Sequence, residues 1–449
     1  MKAGYREVPG FFACDQASRR WLLSPPLSPA PAGGRLLRAP QDFPGRANRL
    51  GFAHGAGTGA AVVDTRILWF VLAGFISGTD GFVIGSLLPS ISADLGITVG
   101  EAGYVPFAYA MVYAIGTPIL ATLFGNIERR KVLIGAELTF AIGAVLMVLA
   151  PTLPLLIAAR VVVGLGVGLF AAMALTTAVA MSPPERRGRT IAVVTSGQSL
   201  AALAGVPLGA FVVSVYNWRV IFAAIAVLAL IAVVGLMWNL PRGVRGEKVT
   251  LRERLSVIGL PGIPVALLST FLFMLAQFTV IIFIAPLAQY AGGLGAQMLP
   301  LLLLANGVGA VAGTQLGGRI ADRIGARRAT ILAAAAQLVL LAALAAAGSL
   351  PATVGAVALF VIIPAIALTG WGFYMAQSSL ISSIVPRSPA LALALNLTAM
   401  NLGVALAARL GGAILDQAGA FWLAVLPVAA AITALLVASF VLPERKAIA

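Results

Sequence analysis

Cysteine, histidine and charged residues are all scarce in this chain of 449 residues. Its one cysteine (Cys14) and its one histidine (His54) both precede the first long apolar run. Their positions exclude a disulfide framework, a Cys/His metal site and a Cys–His nucleophile in the rest of the chain. The sequence also has no Gly-Lys-Ser/Thr nucleotide loop, which excludes an ATP-driven pump. We therefore expect no metal, no cofactor and no enzyme activity.

Charged residues make up 10% of the chain, whereas an ordinary soluble domain carries about 25%. Hydrophobic residues make up 60%, which is more than a soluble core of this length can bury, so lipid must be the main solvent. From residue 66 onward, apolar runs of about 20 residues recur, each long enough to cross a hydrocarbon core about 30 Å thick. The runs cover residues 66–91, 101–124, 132–150, 154–181, 190–215, 219–240, 262–291, 297–318, 329–348, 352–384, 390–415 and 420–442. They predict an all-α integral membrane protein with twelve transmembrane helices.

The net charge of +15 is concentrated in alternate loops between these runs. The other loops hold almost no Lys or Arg, so the positive-inside rule predicts that both chain ends are cytoplasmic. The basic positions lie within residues 129–131, 186–189, 242–254, 319–328, 387 and 445–446. The charge is thus a topology signal, and we expect a lipid bilayer rather than a nucleic acid as the partner.

The basic loop 241–261 divides the spans into two six-helix bundles, 63–240 and 262–443, with related features at similar offsets. Two parallel repeats of this kind are typical of a transporter that rocks its halves around a midplane site. Residues 1–62 are basic and rich in proline, which predicts a disordered extension, a start codon placed too far upstream, or a basic membrane-surface segment. Residues 444–449 are predicted to form a cytoplasmic tail.

The loop after the eighth run reads GRIADRIGARR (318–328), and a shorter counterpart, GNIERRK (125–131), follows the second run. Three further stretches are FVIGSLLPSISADLGIT, ARVVVGLGVG with SPPERRGR, and GQSLAALAGVPLG with NWRVIF. With these motifs, residues 66–443 resemble the major facilitator superfamily and, within it, the twelve-span drug:proton antiporters of the arabinose- or nucleoside-efflux branch. The resemblance implies outward transport of a small molecule in exchange for protons.

Two charged residues lie deep in the spans, where charge is costly and is therefore a candidate for function. Asp80 lies 14 residues past Arg66 and Arg160 six residues past Pro154, which places both about 21 Å from the inner face. We expect them to pair. Burial and a nearby cation act in opposite senses on the proton affinity of a carboxylate, so Asp80 is the candidate proton carrier and Arg160 its partner. The alternative is a static ion pair that locks two helices.

The resemblance also assigns residues to conformational change. Gly205, Pro207 and Gly209 correspond to an antiporter motif that shapes the interface between the halves. A charge network at the cytoplasmic helix ends would stabilise one closed state, the alternative being a solvated positive-inside loop. The residues of that network and its loops are Gly318, Asp322, Arg323, Gly325, Arg327, Arg129 and Arg130.

By analogy with the family, spans one, four, seven and ten line the substrate cavity. The polar or aromatic residues on them are Thr79, Gln277, Trp371, Tyr374 and Gln377. Trp371 and Tyr374 share a helix face and can stack on a planar or sugar ring, although packing is the alternative.

Two further charged residues receive structural interpretations. Arg409 is expected to reach the outer surface toward Asp416, and Glu137 to pair with the basic cluster 129–131.

The sequence therefore predicts a proton-coupled efflux transporter of the inner (cytoplasmic) membrane that acts on a small amphipathic or weakly polar molecule and functions as a monomer. Two alternatives remain open: a proton-coupled uptake symporter, and a non-transporting membrane receptor or scaffold.

Overall fold

A computed structural model describes residues 65–245, 250–386 and 388–440. Within these residues, twelve helices are long and apolar enough to cross a membrane. The helices are α1 Thr65–Leu95, α2 Val99–Leu123, α3 Arg129–Leu149, α4 Leu153–Ala180, α5 Arg187–Val215, α6 Arg219–Asn239, α7 Ile263–Ile282, α8 Ala296–Ile324, α9 Ala326–Ala347, α10 Ala352–Ile384, α11 Pro389–Ala418 and α12 Ala420–Ser439. The predicted all-α membrane fold is confirmed. The predicted extension 1–62, the tail 444–449 and Arg387 lie outside the described residues.

Three spans are less regular than the sequence predicts. Helix α2 is divided at Gly103, between a first turn Val99–Ala102 and the helix Tyr104–Leu123. Helix α7 ends at Ile282, and after Phe283 a second helix, Ile284–Gly292, completes the predicted span. Helix α5 contains a π-helical turn, Ala201–Gly205, a feature that is frequent at functional sites.

We call α1–α6 the N-half and α7–α12 the C-half. The face at which α6 ends and α7 begins is the linker face, and the opposite face is the distal face. One large apolar cluster contains buried residues of both halves, among them Leu87 and Phe140 of the N-half and Phe273 and Phe373 of the C-half. The interior between the halves is therefore mostly apolar.

Close approach within the C-half depends on a row of glycines on α8. A Cβ atom at Gly309 would lie 2.1 Å from the carbonyl oxygen of Pro364, and one at Gly313 would lie 2.4 Å from that of Leu368. Only residues without side chains allow α8 and α10 to pack at this distance.

The distal face of the N-half is anchored by the NWRVIF stretch. Arg219 forms an ion pair with Asp94 at the end of α1, and Trp218 Nε1 donates to the same carboxylate at 3.2 Å. Arg219 also donates to the carbonyl oxygens of Val148 and Ala150. One side chain therefore joins the ends of α1, α3 and α6.

At the linker face, residues 243–245 pair with the start of α3. The backbone N–H of Arg129 donates to the Val244 carbonyl at 2.8 Å, and that of Gly243 donates to Glu128 Oε1 at 3.0 Å. The latter bond holds the pKa of the Glu128 carboxyl below its usual value. We call this contact the linker strap, because it fastens the connection between the halves to the loop between α2 and α3.

Candidate functional site

A cavity of about 130 Å³ lies between the two halves. Its wall includes Arg160 of α4 and Trp371 of α10, as predicted for these two spans. Helices α2, α5 and α11 also contribute, which the family analogy did not predict, through Tyr109, Gln198 and Asn401.

Asp80 and Arg160 form a buried ion pair beside this cavity. Arg160 Nη1 donates to both carboxylate oxygens of Asp80, at 3.0 and 2.8 Å. The Asp80 side chain is 0% exposed and the Arg160 side chain is 1% exposed. The structure thus brings together the two residues that the sequence placed at equal depth, although Asp80 lies behind the cavity wall and Arg160 forms part of that wall.

Aromatic rings flank the Arg160 guanidinium group. Its Cζ atom lies 5.7 Å from the ring centroid of Tyr109 and 5.1 Å from that of Phe222, within the range of cation–π attraction. Among the described residues, Nε and Nη2 of Arg160 have no hydrogen-bond partner, and both are buried. Arg160 therefore pairs with Asp80 through Nη1 alone, and the donor atoms Nε and Nη2 are not used.

A set of aromatic side chains from both halves forms part of the cavity wall. Phe82 stacks on Phe278 with centroids 6.4 Å apart and contacts Trp371 edge to face at 5.9 Å. Trp371 in turn contacts Tyr374 at 6.1 Å. These rings are suited to a planar or apolar solute.

Trp371 and Tyr374 line the cavity, whereas the other predicted substrate-binding residues lie outside its wall. Thr79 donates to the Phe75 carbonyl within α1, and Gln377 Nε2 donates to the Ala266 carbonyl of α7 at 2.7 Å. Gln277 Oε1 accepts from Gln337 Nε2 of α9 at 2.6 Å. Each of these three side chains makes a hydrogen bond within the protein, while Gln277 Nε2 and Gln377 Oε1 have no hydrogen-bond partner among the described residues. Of the five predicted substrate-binding residues, Trp371 and Tyr374 are the two that line the cavity.

Gly205 and Gly209 lie on the face of α5 that packs against α1. A Cβ atom at Gly205 would lie 2.0 Å from Thr79 Oγ1, and one at Gly209 would lie 2.6 Å from Val83 Cγ2. Pro207 lies at the start of the helix that follows the π-helical turn. These glycines therefore shape packing within the N-half, whereas the resemblance implied the interface between the halves.

The π-helical turn itself does reach the C-half. A Cβ atom at Gly307 of α8 would lie 2.3 Å from the Ala202 carbonyl oxygen. The interface between the halves at this point is formed by the backbone of the turn at Ala202, three residues before Gly205.

The predicted network at the linker face is only partly assembled. Gly325 joins α8 to α9 with φ +89°, a conformation that favours glycine. Arg327 Nη2 donates to the Ser439 carbonyl at 2.9 Å. Asp322 and Arg323 are exposed and form no ion pair with a described residue.

The remaining loop residues have separate contacts. A Cβ atom at Gly318 would meet no atom within 4 Å, so close packing does not require this glycine. Arg129 donates to Met173 Sδ of α4, and Arg130 donates to the Met237 carbonyl of α6. Arg129 and Arg130 thus hold the linker-face ends of N-half helices together.

The structure corrects two expectations about charged residues. Glu137 forms no ion pair with the basic cluster 129–131. Its side chain is buried, and its Oε1 atom has no hydrogen-bond partner among the described residues. Arg409 is exposed and lies over the Tyr104 ring at 5.0 Å, and among the described residues it forms no ion pair with Asp416. The depth of Glu137 and the aromatic partner of Arg409 depend on helix packing, which the local sequence does not encode.

Sequence reasoning missed several cavity residues. Tyr109 and Tyr113 of α2 and Asn401 of α11 line the cavity, although neither helix was expected there. The signal available was their polarity in otherwise apolar runs, which marks residues turned away from lipid.

Known proteins resemble this chain in sequence and in structure. The sequence model of the Major Facilitator Superfamily matches residues 70–389 and 266–448. A chloramphenicol resistance protein of Streptomyces lividans is 37% identical over 267 residues, which are 59% of this chain and 67% of that protein. Inner membrane transport protein YdhP of Escherichia coli (strain K12) is 28% identical over 359 residues, 79% of this chain and 90% of that protein. The crystal structure of a D-xylose–proton symporter matches with a TM-score of 0.70 at 19% identity, covering 85% of this chain and 98% of that chain.

Twelve membrane helices around a central cavity with a buried ion pair define a membrane transporter. The chain belongs to the Major Facilitator Superfamily. The matched family and the relative YdhP are named as transporters rather than enzymes, in agreement with the sequence.

Proposed function

We propose that this transporter exports a small amphipathic or weakly polar molecule in exchange for protons. The observation that carries the proposal is the ion pair of Asp80 and Arg160 beside the central cavity. Both side chains are removed from water, and a carboxylate in such surroundings changes its interactions strongly when it binds a proton.

Protonation of Asp80 neutralises the carboxylate and weakens its bonds to Arg160. The guanidinium group then loses its counter-ion inside the apolar interior, which is unfavourable unless the surroundings rearrange. Proton binding therefore biases the equilibrium between states that open to different faces, which is what coupling requires.

The cavity wall supports a weakly polar substrate. Its rings, Phe82, Phe278 and Trp371, provide apolar surface, while Tyr374 and Asn401 provide a few hydrogen-bonding groups. The Streptomyces relative is named for chloramphenicol resistance, which supports a drug-like molecule as the first candidate. Sugars and nucleosides are the other candidate classes.

We further propose that the bundles 63–240 and 262–443 rock about this cavity in the inner membrane, with the linker face in the cytoplasm and one chain as the transporting unit. The basic residues of that face support the orientation. Rearrangement of Asp322, Arg323 and Arg327 at the helix ends is expected to accompany the rocking.

The test uses the full chain in proteoliposomes with an imposed pH gradient and a pH-sensitive dye inside. Chloramphenicol, a set of cationic and neutral drugs, sugars and nucleosides are added in turn. We expect at least one compound to drive proton movement in the wild type, and Asp80→Asn to abolish that movement. Glu185→Gln is the matched control, because this acid is exposed at the linker face.

The outcomes separate the alternatives. Substrate moving in the same direction as protons would identify a symporter, and substrate-driven proton flux that survives in Asp80→Asn would place the proton site elsewhere. A receptor or scaffold would show no flux with any compound while retaining its cellular phenotype in Asp80→Asn.

A further inference from the structure

We propose that Arg160 recognises the substrate directly and that the cavity takes an aromatic solute carrying a planar group with two acceptor oxygens, such as a carboxylate or a nitro group. This inference rests on the proposed function, because it names the substrate class of the same cavity.

The unused donors of Arg160 have a specific geometry. Nη1 makes both contacts to Asp80, while Nε and Nη2 are buried and have no partner among the described residues. The N–H bonds of Nε and Nη2 lie in the guanidinium plane and point in nearly the same direction. Such a fork matches two oxygens held in one plane, and leaving buried donors unpaired is costly.

The surroundings of the fork limit what can occupy it. Among the described residues that line the cavity, Arg160 carries the only formal charge, because Asp80 lies behind the wall. A cationic solute would therefore face a guanidinium group with no free acid to pair with. A solute that offers oxygens to the fork leaves the Asp80 bonds to Nη1 in place.

The aromatic part of the solute has a complementary surface. Phe82, Phe278 and Trp371 line the same cavity as Arg160, and their side chains are uncharged. When the fork holds the two-oxygen group of a solute, the aromatic ring of that solute can pack against these side chains. Aromatic pairs prefer offset or edge-to-face contact.

The experiment measures binding to the purified full chain in detergent by isothermal titration calorimetry, with no pH gradient. The probes are benzoate, 4-nitrobenzyl alcohol, benzyl alcohol and benzyltrimethylammonium. Because a hydrogen bond to a charged group contributes about tenfold or more in affinity, benzoate and 4-nitrobenzyl alcohol are expected to bind at least about tenfold more tightly than benzyl alcohol. Comparison of benzoate with 4-nitrobenzyl alcohol shows whether the charged or the neutral two-oxygen group is preferred.

Arg160→Lys keeps a cation opposite Asp80 but removes the planar fork, so it is expected to abolish the preference for two-oxygen probes. Arg219→Lys is the matched control, because Arg219 is also stacked on an aromatic ring and paired with an aspartate, but at the distal face. It is expected to keep the preference.

Several results would overturn the inference: equal binding of benzyl alcohol, tighter binding of benzyltrimethylammonium, an unchanged preference in Arg160→Lys, or no binding of any probe. If the Arg160→Lys variant does not fold, the relative affinities of the four probes for the wild-type protein still test the inference. A retained preference without proton flux would remove the proposed coupling and leave recognition by Arg160 in place.

Discussion

The Thr98 hydroxyl donates to the Asp416 carboxylate at 2.6 Å, which joins the N-half to the C-half at the distal face. The backbone N–H of Gly100 donates to the same carboxylate at 3.1 Å. Asp416 thus accepts from the first turn of α2 while belonging to the end of α11. Gly100 and Gly412 also bring the backbones of α2 and α11 close together. A Cβ atom at Gly412 would lie 2.6 Å from the Gly100 carbonyl oxygen.

Asp416→Asn is expected to open the distal face. The substitution removes charge-assisted hydrogen bonds, which contribute about 1.5–3 kcal/mol each. Spin labels at Tyr216→Cys and Phe421→Cys, in a Cys14→Ser background, report the distance between the halves by pulsed electron paramagnetic resonance. The distribution should shift to longer distances in Asp416→Asn and remain unchanged in the linker-face control Glu185→Gln. An unchanged distribution in Asp416→Asn would show that this contact does not hold the face closed.

Removing one partner of the buried ion pair is expected to destabilise the protein more than removing both. Loss of a single partner leaves an uncompensated buried charge at a cost of about 3–5 kcal/mol, whereas an apolar pair of similar volume is often neutral. Thermal unfolding in detergent should therefore rank Arg160→Met below the double variant Asp80→Leu/Arg160→Met. If the double variant is the least stable, the pair contributes through packing rather than charge.

Gly205→Ala is expected to disturb the contact between α5 and α1. The new Cβ atom would lie 2.0 Å from Thr79 Oγ1, so the helices must separate or Thr79 must move. Overpacking of this kind costs about 1–3 kcal/mol. Adding Thr79→Ala should restore part of the lost thermal stability, because the nearest remaining contact at that residue is 3.1 Å. Gly188→Ala, which meets no atom within 4 Å, serves as the control and should not destabilise the protein.

The linker strap is expected to loosen in acid. The Gly243 N–H lowers the pKa of Glu128 below its ordinary value of 4.5, so the bond stabilises the strap above that value. Its contribution is lost as the pH falls through the lowered pKa. Hydrogen exchange of the peptide containing Gly243 should differ between wild type and Glu128→Ala near about pH 7, and the difference should disappear as the pH falls through the lowered pKa of Glu128. A difference that persists in acid would show that the carboxylate charge is not what holds the strap.

Depth along a helix axis could be predicted from the sequence, and rotation about the axis could be predicted only in part. Counting residues placed Asp80 and Arg160 at one level, and they are paired. The i, i+3 spacing placed Trp371 and Tyr374 on one face, and both line the cavity. Gln277 lies on a helix that was correctly assigned to the cavity, yet it bonds to Gln337, because its neighbours on other helices set the direction of its side chain.

Contacts between distant segments were harder to predict. The linker strap joins Glu128 to Arg245, and neither residue carries a local signal for the other. The same holds for Asp416 and Thr98, whose meeting depends on how the two halves pack. Charge and spacing describe one helix at a time, whereas these contacts arise from the arrangement of several.

The π-helical turn Ala201–Gly205 makes α5 tolerant of a change in length that other spans would not accept. Such a turn holds one residue more than regular helix, so deleting a single residue there can return the segment to α-helical winding. Elsewhere in a span, a deletion would rotate every residue on one side by about 100° and expose buried groups to lipid. Shortened forms of this chain should therefore survive selection at residues 201–205 more often than at any other point of α5, at the cost of the backbone contact with Gly307.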